Sequence, residues 1–141
     1  MRKALEEAQQ QAKKDHTTRN ITNNDVVACC KFHFWELMLS TRFINRIWEK
    51  SWKTCFPYAN HQSCDELILE LKLLTEKIRR FRNRVAHHEP IYSSNVKRYL
   101  DEIRIPISYV SMDLVARLNN SQKVDKAIDN LDHFLSDLKN K

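Results

Sequence analysis

A chain of 141 residues with 42% hydrophobic side chains is long enough to bury one core without metal or disulfide staples, and it reads as a single domain. It contains no glycine and only three prolines, which removes the residues of tight hairpins and of glycine-rich phosphate loops. A sheet-rich fold would be hard to build, Rossmann and P-loop readings are excluded, an all-α fold is expected, and the formal charge of +6 favours a polyanionic partner.

Residues 1–24 read as a helical extension followed by a polar connector, because up to His16 the chain carries good helix formers but only Leu5 as a sizeable apolar side chain after Met1. One of Thr22, Asn23, Asn24 or Asp25 is expected to cap the element that follows. Residues 25–141 read as the helical domain proper. From Val26 to Leu39 apolar residues come so densely that a mostly enclosed central helix is expected. A second helix from about Thr41 to Thr54 places Phe43, Ile44, Ile47, Trp48 and Trp52 at three- and four-residue spacing, and Phe56-Pro57 ends it.

Ser63-Cys64-Asp65-Glu66 has the spacing of a capping box and opens a third helix. Leu67, Leu71, Leu74, Ile78, Phe81 and Val85 form its apolar seam, which runs directly into Arg82-Asn83-Arg84-Val85-Ala86-His87-His88-Glu89-Pro90. Ser93-Ser94-Asn95 is expected to cap a helix from Val96 that Pro106 kinks or breaks. Asn119-Asn120-Ser121 is expected to start a last helix with an apolar face of Val124, Ala127, Ile128, Leu131, Phe134, Leu135 and Leu138.

Cys29, Cys30, Cys55 and Cys64 show no C-x-x-C spacing and read as reduced core thiols. No cleavable signal and no apolar run of membrane length is seen, so a cytoplasmic protein without a membrane partner is expected. Cys55, His61 and Cys64 match no standard zinc spacing, and neither a metal site nor a cofactor is expected.

The chemistry concentrates at residues 82–90. Arginine offers a planar fork of donors suited to phosphate, and histidine is the side chain whose free pKa lies near neutrality. Together they are the parts for RNA cleavage, in which a ribose 2′-hydroxyl attacks the adjacent phosphate, an imidazole moves the proton and a guanidinium holds the developing charge. Asn83 is placed to orient either group. The helical period qualifies this: at about 100° per residue, Arg82 and His87 stand about 140° apart, so one ideal helix does not bring them together. Either the helix deforms before Pro90, or a second copy of the chain completes the site. The bland reading is a solvated basic helix end, with cations set against the negative end of the helix dipole. Arg79, Arg80 and Arg84 are similarly either a solvated face or an RNA-backbone track. Trp35, Trp48 and Trp52 are expected in a core or an interface rather than stacked on bases, and His33 in the core.

The run Arg82-Asn83-Arg84-Val85-Ala86-His87 resembles the R-x-x-x-x-H signature of the HEPN superfamily of helical RNA-binding and RNA-cleaving domains. Its extension through His88-Glu89-Pro90-Ile91, with Asp25-Val26-Val27, Phe32-His33-Phe34-Trp35, Trp48 and Phe56-Pro57 upstream, is similar to the Abi-like, or abortive-infection, bacterial branch. The resemblance implies an HEPN-like helical bundle and a homodimer acting as a metal-independent endoribonuclease in phage defence or toxin–antitoxin systems, with RNA as substrate and an antitoxin or regulatory partner. It makes Arg82 and His87 the catalytic pair, Asn83 their support and His88 a secondary candidate. Longer members carry a further N-terminal region, which is expected to be lacking here. Glu89 stands where some HEPN partners of nucleotidyltransferases carry a modifiable tyrosine. The alternative reading is a non-catalytic helical module that binds RNA or a partner protein through the same basic end.

Overall fold

The computed structural model describes residues 1–91 and 95–139, with the side chains at 132, 134, 135, 138 and 139 excepted. Every regular element among the described residues is helical, as the absence of glycine and the scarcity of proline predict. The caps expected of Ser93 and Ser94, and the apolar contributions expected of Phe134, Leu135 and Leu138, lie outside what is described. The chain gathers into two compact units, one formed by Met1–Lys50 with Gln62–Glu76 and the other by Ser51–His61 with Lys77–Lys141.

The first unit begins with α1 (Arg2–Asp15), which lies against α2 (Asn23–Ala28). α1 has more to bury than its single leucine suggests. Ala8 and Ala12 are buried, whereas Leu5 is exposed, so small side chains rather than large ones make the packed stripe. Lys31 pairs with Glu7 at 3.2 Å, and the Cys29 thiol donates to Asp15 at 3.7 Å.

The connector before α2 is tied down by Asp25. Thr22 Oγ1 accepts from the Asp25 backbone N–H while the Asp25 carboxylate accepts from the Thr22 backbone N–H at 2.8 Å, a complete capping box. Arg19 grips both carboxylate oxygens of Asp25 at 2.7 Å, and His16 Nε2 stands 3.3 Å from one of them. The Arg19 fork, with the Thr22 amide and hydroxyl, holds the Asp25 carboxyl well below the usual carboxylate range. A carboxylate whose folded pKa is depressed stabilises the fold above its ordinary pKa, and that contribution is lost as pH falls through the folded value. Asp25→Asn is therefore expected to lower the Tm at pH 7 and to matter progressively less as the pH falls below the ordinary aspartate range, which paired melts at pH 7 and pH 2 will show. An equal deficit at both pH values would remove the ionic part of this account.

The enclosed helix expected from Val26 to Leu39 is not formed. Two short helices, α2 and α3 (Phe32–Met38), replace it, and neither contains a buried residue. The break falls at Cys29 and Cys30, whose amides turn back three residues to Val26 and Val27, and Lys31 is extended. Val27, Phe32 and Trp35 remain exposed, Trp35 at 44%. A run that is apolar on every face carries no information about which face turns inward, so density alone does not imply enclosure.

The stretch from Thr41 runs on without interruption as a tight 3-10 turn (Thr41–Phe43), a wide π turn (Ile44–Trp48) and α4 (Glu49–Cys55). Ile44 and Trp52 are buried, and the Trp48 indole donates to the Met38 carbonyl at 2.7 Å. The helix stops where Phe56-Pro57 was expected to stop it.

α5 (Cys64–Ala86) is the long helix that the leucine spacing predicts. Ser63 Oγ accepts from the Glu66 amide at 3.2 Å, but the Glu66 carboxylate reaches the amide of Gln62 rather than that of Ser63. Cys64, Leu67, Ile68, Leu71 and Leu74 are buried, Ile78 and Phe81 half-buried and Val85 exposed, so the seam opens progressively toward the basic end. All four cysteines are free thiols. Cys64 is buried and burial pushes its thiol up, Cys29 and Cys30 are half-buried, and Cys55 is exposed, which corrects its placement in the core.

In the second unit α6 (Val96–Val110) is capped by Asn95, whose side chain accepts from the Arg98 amide at 2.9 Å. Pro106 lies inside α6 without ending it. The helix ends instead at Ser111, whose hydroxyl caps α7 (Met112–Ser121). The last helix, α8 (Val124–Lys139), is opened by the Gln122 side chain accepting from the Val124 amide at 2.6 Å, not by Asn119-Asn120-Ser121, which complete α7. Arg104 joins the three helices, with Asp101 at 2.6 Å, Asn119 at 2.7 Å and Asp125 at 3.6 Å. Among the described residues, no helix is long and apolar enough to cross a membrane.

Candidate functional site

The basic end of α5 belongs wholly to the second unit, and α6 runs antiparallel beside it. Phe81 stacks on Tyr99 with ring centroids 4.1 Å apart and planes 13° from parallel, and one turn earlier Lys77 meets Glu102 at 3.2 Å. These two contacts fix the register and bring Asn95 and the start of α6 toward the end of α5.

α5 remains α-helical through the motif, since the His87 amide still donates to the Asn83 carbonyl at 2.9 Å. The chain turns only at His88, whose φ is 54°, in the left-handed region. The His88 amide donates to the Val85 carbonyl at 3.1 Å and the Glu89 amide to the Arg84 carbonyl at 2.9 Å, the paired bonds of a Schellman helix end. Glycine usually fills that position because it has no Cβ to clash, but this chain has none. His88→Gly is expected to raise the Tm by about 2–4 °C, corresponding to about 1 kcal/mol of relieved left-handed strain. An unchanged or lower Tm would show that the His88 side chain itself supports the turn.

The deformation therefore falls after His87 and leaves Arg82 and His87 on different faces of an intact helical turn. Among the described residues no hydrogen bond joins the two. Arg82 is exposed, with its guanidinium 3.4 Å from Asn83 Oδ1, and Asn83 is half-buried. His87 and His88 are exposed, as is Arg80, whereas Arg79 is half-buried. Arg84, one of the arginines of the expected RNA-backbone track, is engaged within its own chain. It donates to the Pro90 carbonyl at 2.6 Å and stands 3.5 Å from the Glu89 carboxylate, so it clamps the segment that leaves the Schellman turn. The cations also lie at the helix end where the backbone dipole is negative, an arrangement favourable whatever their further role.

A second group beside the motif is not legible as a site in sequence. Glu102 is 8% exposed, and its Oε1 accepts from both Lys77 at 3.2 Å and Arg98 at 3.3 Å. Lys77, Asn95, Arg98, Tyr99 and Glu102 line a cavity of about 250 Å³. The four-residue spacing of Arg98 and Glu102 is visible in the chain, but nothing local selects Lys77 as their partner.

Among the described residues no group of three or more His, Cys, Asp or Glu side chains is placed to hold a metal ion. Comparison with known protein families, with curated proteins and with solved structures finds no match to this chain.

Proposed function

We propose that this chain is a metal-independent endoribonuclease of the HEPN type, in the Abi-like branch, with Arg82 and His87 as the catalytic pair. The observation that carries the reading is that the R-x-x-x-x-H residues stand exposed at the end of one long helix, with Arg84 fixing the chain that follows. An exposed imidazole and an exposed guanidinium are available to a phosphodiester.

In the proposed reaction the 2′-hydroxyl oxygen bonds to the adjacent phosphorus and the bond from phosphorus to the 5′-oxygen breaks. A neutral imidazole takes the hydroxyl proton, a protonated one supplies a proton to the departing 5′-oxygen, and the Arg82 guanidinium holds the charge on the non-bridging oxygens. The products are a 2′,3′-cyclic phosphate and a 5′-hydroxyl. Because an undistorted turn separates Arg82 from His87, the reading includes a two-fold homodimer in which Arg82 of one copy faces His87 of the other. Asn83 supports the pair, His88 is the second imidazole at the same helix end, and Arg79 and Arg80 add affinity for the RNA backbone. The biological setting proposed with it is cytoplasmic abortive infection or toxin–antitoxin defence, with a neutralising partner.

The test is incubation of the purified chain with single-stranded RNA in excess chelator, with end-group analysis of the fragments. Cyclic phosphate ends that disappear in Arg82→Ala are expected. Undiminished cleavage by that variant would sink the assignment, and activity abolished by chelator would move the mechanism to a metal class.

The exposed Val27, Phe32 and Trp35 favour a second reading, a non-catalytic module that docks a partner protein through the α2–α3 face. Under it, association is insensitive to salt and no RNA is cut, whereas RNA binding through phosphates weakens steeply as salt rises.

A further inference from the structure

We propose that the groove between α1 and α3 holds a single strand of RNA, by its phosphates along α1 and by base stacking on the aromatic side chains of α3. Its physiological ligand rests on the RNA-cleaving reading. The groove itself, of about 580 Å³, is built entirely from the first unit, with Lys3, Lys14, Lys31, His33 and Phe34 in its lining.

The charges are arranged in a row. Lys3 and Lys14 are eleven residues apart on α1, which at about 100° per residue puts them within about 20° of one face and about 16 Å apart along the axis. Glu7 lies on the same face between them and pairs with Lys31 at 3.2 Å, so the Lys31 ammonium stands between the other two along the groove. That pairing also consumes Glu7, the carboxylate of this lining and the residue that the four-residue spacing would give to Lys3. Lys3 and Lys14 are exposed, and among the described residues neither has a hydrogen-bond or ion-pair partner. A groove lined by cations whose charge is not returned by carboxylates attracts anions, and a row of this length suits an extended polyanion better than a single phosphate.

Aromatic surface borders the same groove. Phe34 lines it and meets Trp35 edge-on, with ring centroids 5.2 Å apart. Trp35 is 44% exposed, and Phe32, three residues before it on α3, is also exposed. His33, expected in the core because of these neighbours, is exposed as well. Single-stranded nucleic acids are held by this combination, a cationic groove that tracks the backbone and aromatic side chains on which successive bases stack. A protein that docks on the aromatic side chains alone leaves the Lys3 and Lys14 charges unused.

The experiment titrates the isotope-labelled full chain with an oligouridylate of about eight nucleotides, within the range of single-strand sites. Its 2′-O-methyl riboses prevent attack on the phosphates. Amide shifts are expected at Lys3, Lys14, Lys31 and Phe34. Lys3→Gln with Lys14→Gln is expected to weaken binding about ten-fold at low salt and to reduce the slope of log affinity against log salt by about 1.4, the loss of two phosphate contacts. Trp35→Ala is expected to weaken it about ten-fold and Trp35→Phe to restore most of that loss. Shifts confined to other parts of the chain, or an affinity and salt slope unchanged in the lysine variant, would overturn the proposal. So would salt-insensitive binding of a protein partner that is lost in Trp35→Ala while RNA affinity is kept. If Trp35→Ala does not fold, the lysine variant and the shift map of the wild-type chain decide. The two readings fail separately: a strand held in this groove by a chain that cuts no RNA overturns only the nuclease, and cleavage by a chain whose groove shows no RNA-dependent shifts overturns only the groove.

Discussion

His87→Ala is expected to slow RNA cleavage by about 100- to 10,000-fold, the range that a positioned general acid or base contributes. The side chain is exposed and makes no hydrogen bond among the described residues, so the variant should melt with the wild-type protein and the loss will be chemical rather than structural. Arg82→Ala should fall comparably, because its guanidinium is asked to stabilise charge that develops only in the transition state. The informative experiment mixes the two inactive variants. If Arg82 of one copy works with His87 of the other, a mixed dimer contains one site with both groups intact, and activity returns on mixing. If each chain carries its own complete site, no mixture recovers. Recovery is the outcome expected from the intact Asn83–His87 helical bond, which keeps Arg82 and His87 of one chain on different faces. No recovery together with normal dimer formation would place the pair within one chain and require a helix end different from the one described.

Leu67→Ala is expected to destabilise the fold by about 2–5 kcal/mol, the cost of losing a buried leucine and leaving a cavity. Leu67 is fully buried at 0% exposure, on the stretch of α5 where burial is most continuous. For a chain of this size the corresponding fall in Tm is roughly 5–15 °C. Leu69 provides the control, since it lies on the same helix and is 58% exposed, so Leu69→Ala should stay within about 0.5 kcal/mol of wild type. Thermal melts of the pair read the orientation of α5 directly. Comparable losses from both substitutions would contradict the orientation described, as would a larger loss from Leu69→Ala.

Much of the helical order was legible because helix starts are local chemistry. Thr22 with Asp25, Ser63 with Glu66, and Asn95 each satisfy a backbone amide within a few residues, and the spacing that allows it is visible in the chain. Leu67, Leu71 and Leu74 of α5 were equally plain because their four- and three-residue spacing marks one face. The dense run from Val26 to Leu39 misled for the opposite reason, since it marks every face. Pro106 is no helix end, because the chain turns at Ser111, whose hydroxyl caps α7. Gln122 is not legible as a cap because its longer side chain is a less usual choice than the Asn and Ser just before it.

For the candidate site, the sequence placed the arginines and histidines at the end of a long helix, and angular spacing alone showed that Arg82 and His87 do not converge on one ideal helix. It left open whether the helix would bend to unite them. Tertiary and backbone structure decided that question: the turn is made one residue too late, at His88, where a side chain takes the left-handed conformation because no glycine is available. Structure also set Arg84 against Glu89 and Pro90 and assembled Glu102 with Lys77, 25 residues away. By itself the sequence determined what depends on neighbours a few residues apart, namely the helices, their caps and the concentration of charge. Only the packing of α6 against α5 decided the buried carboxylate and its cavity, because its cost and its compensation are carried by groups distant in the chain.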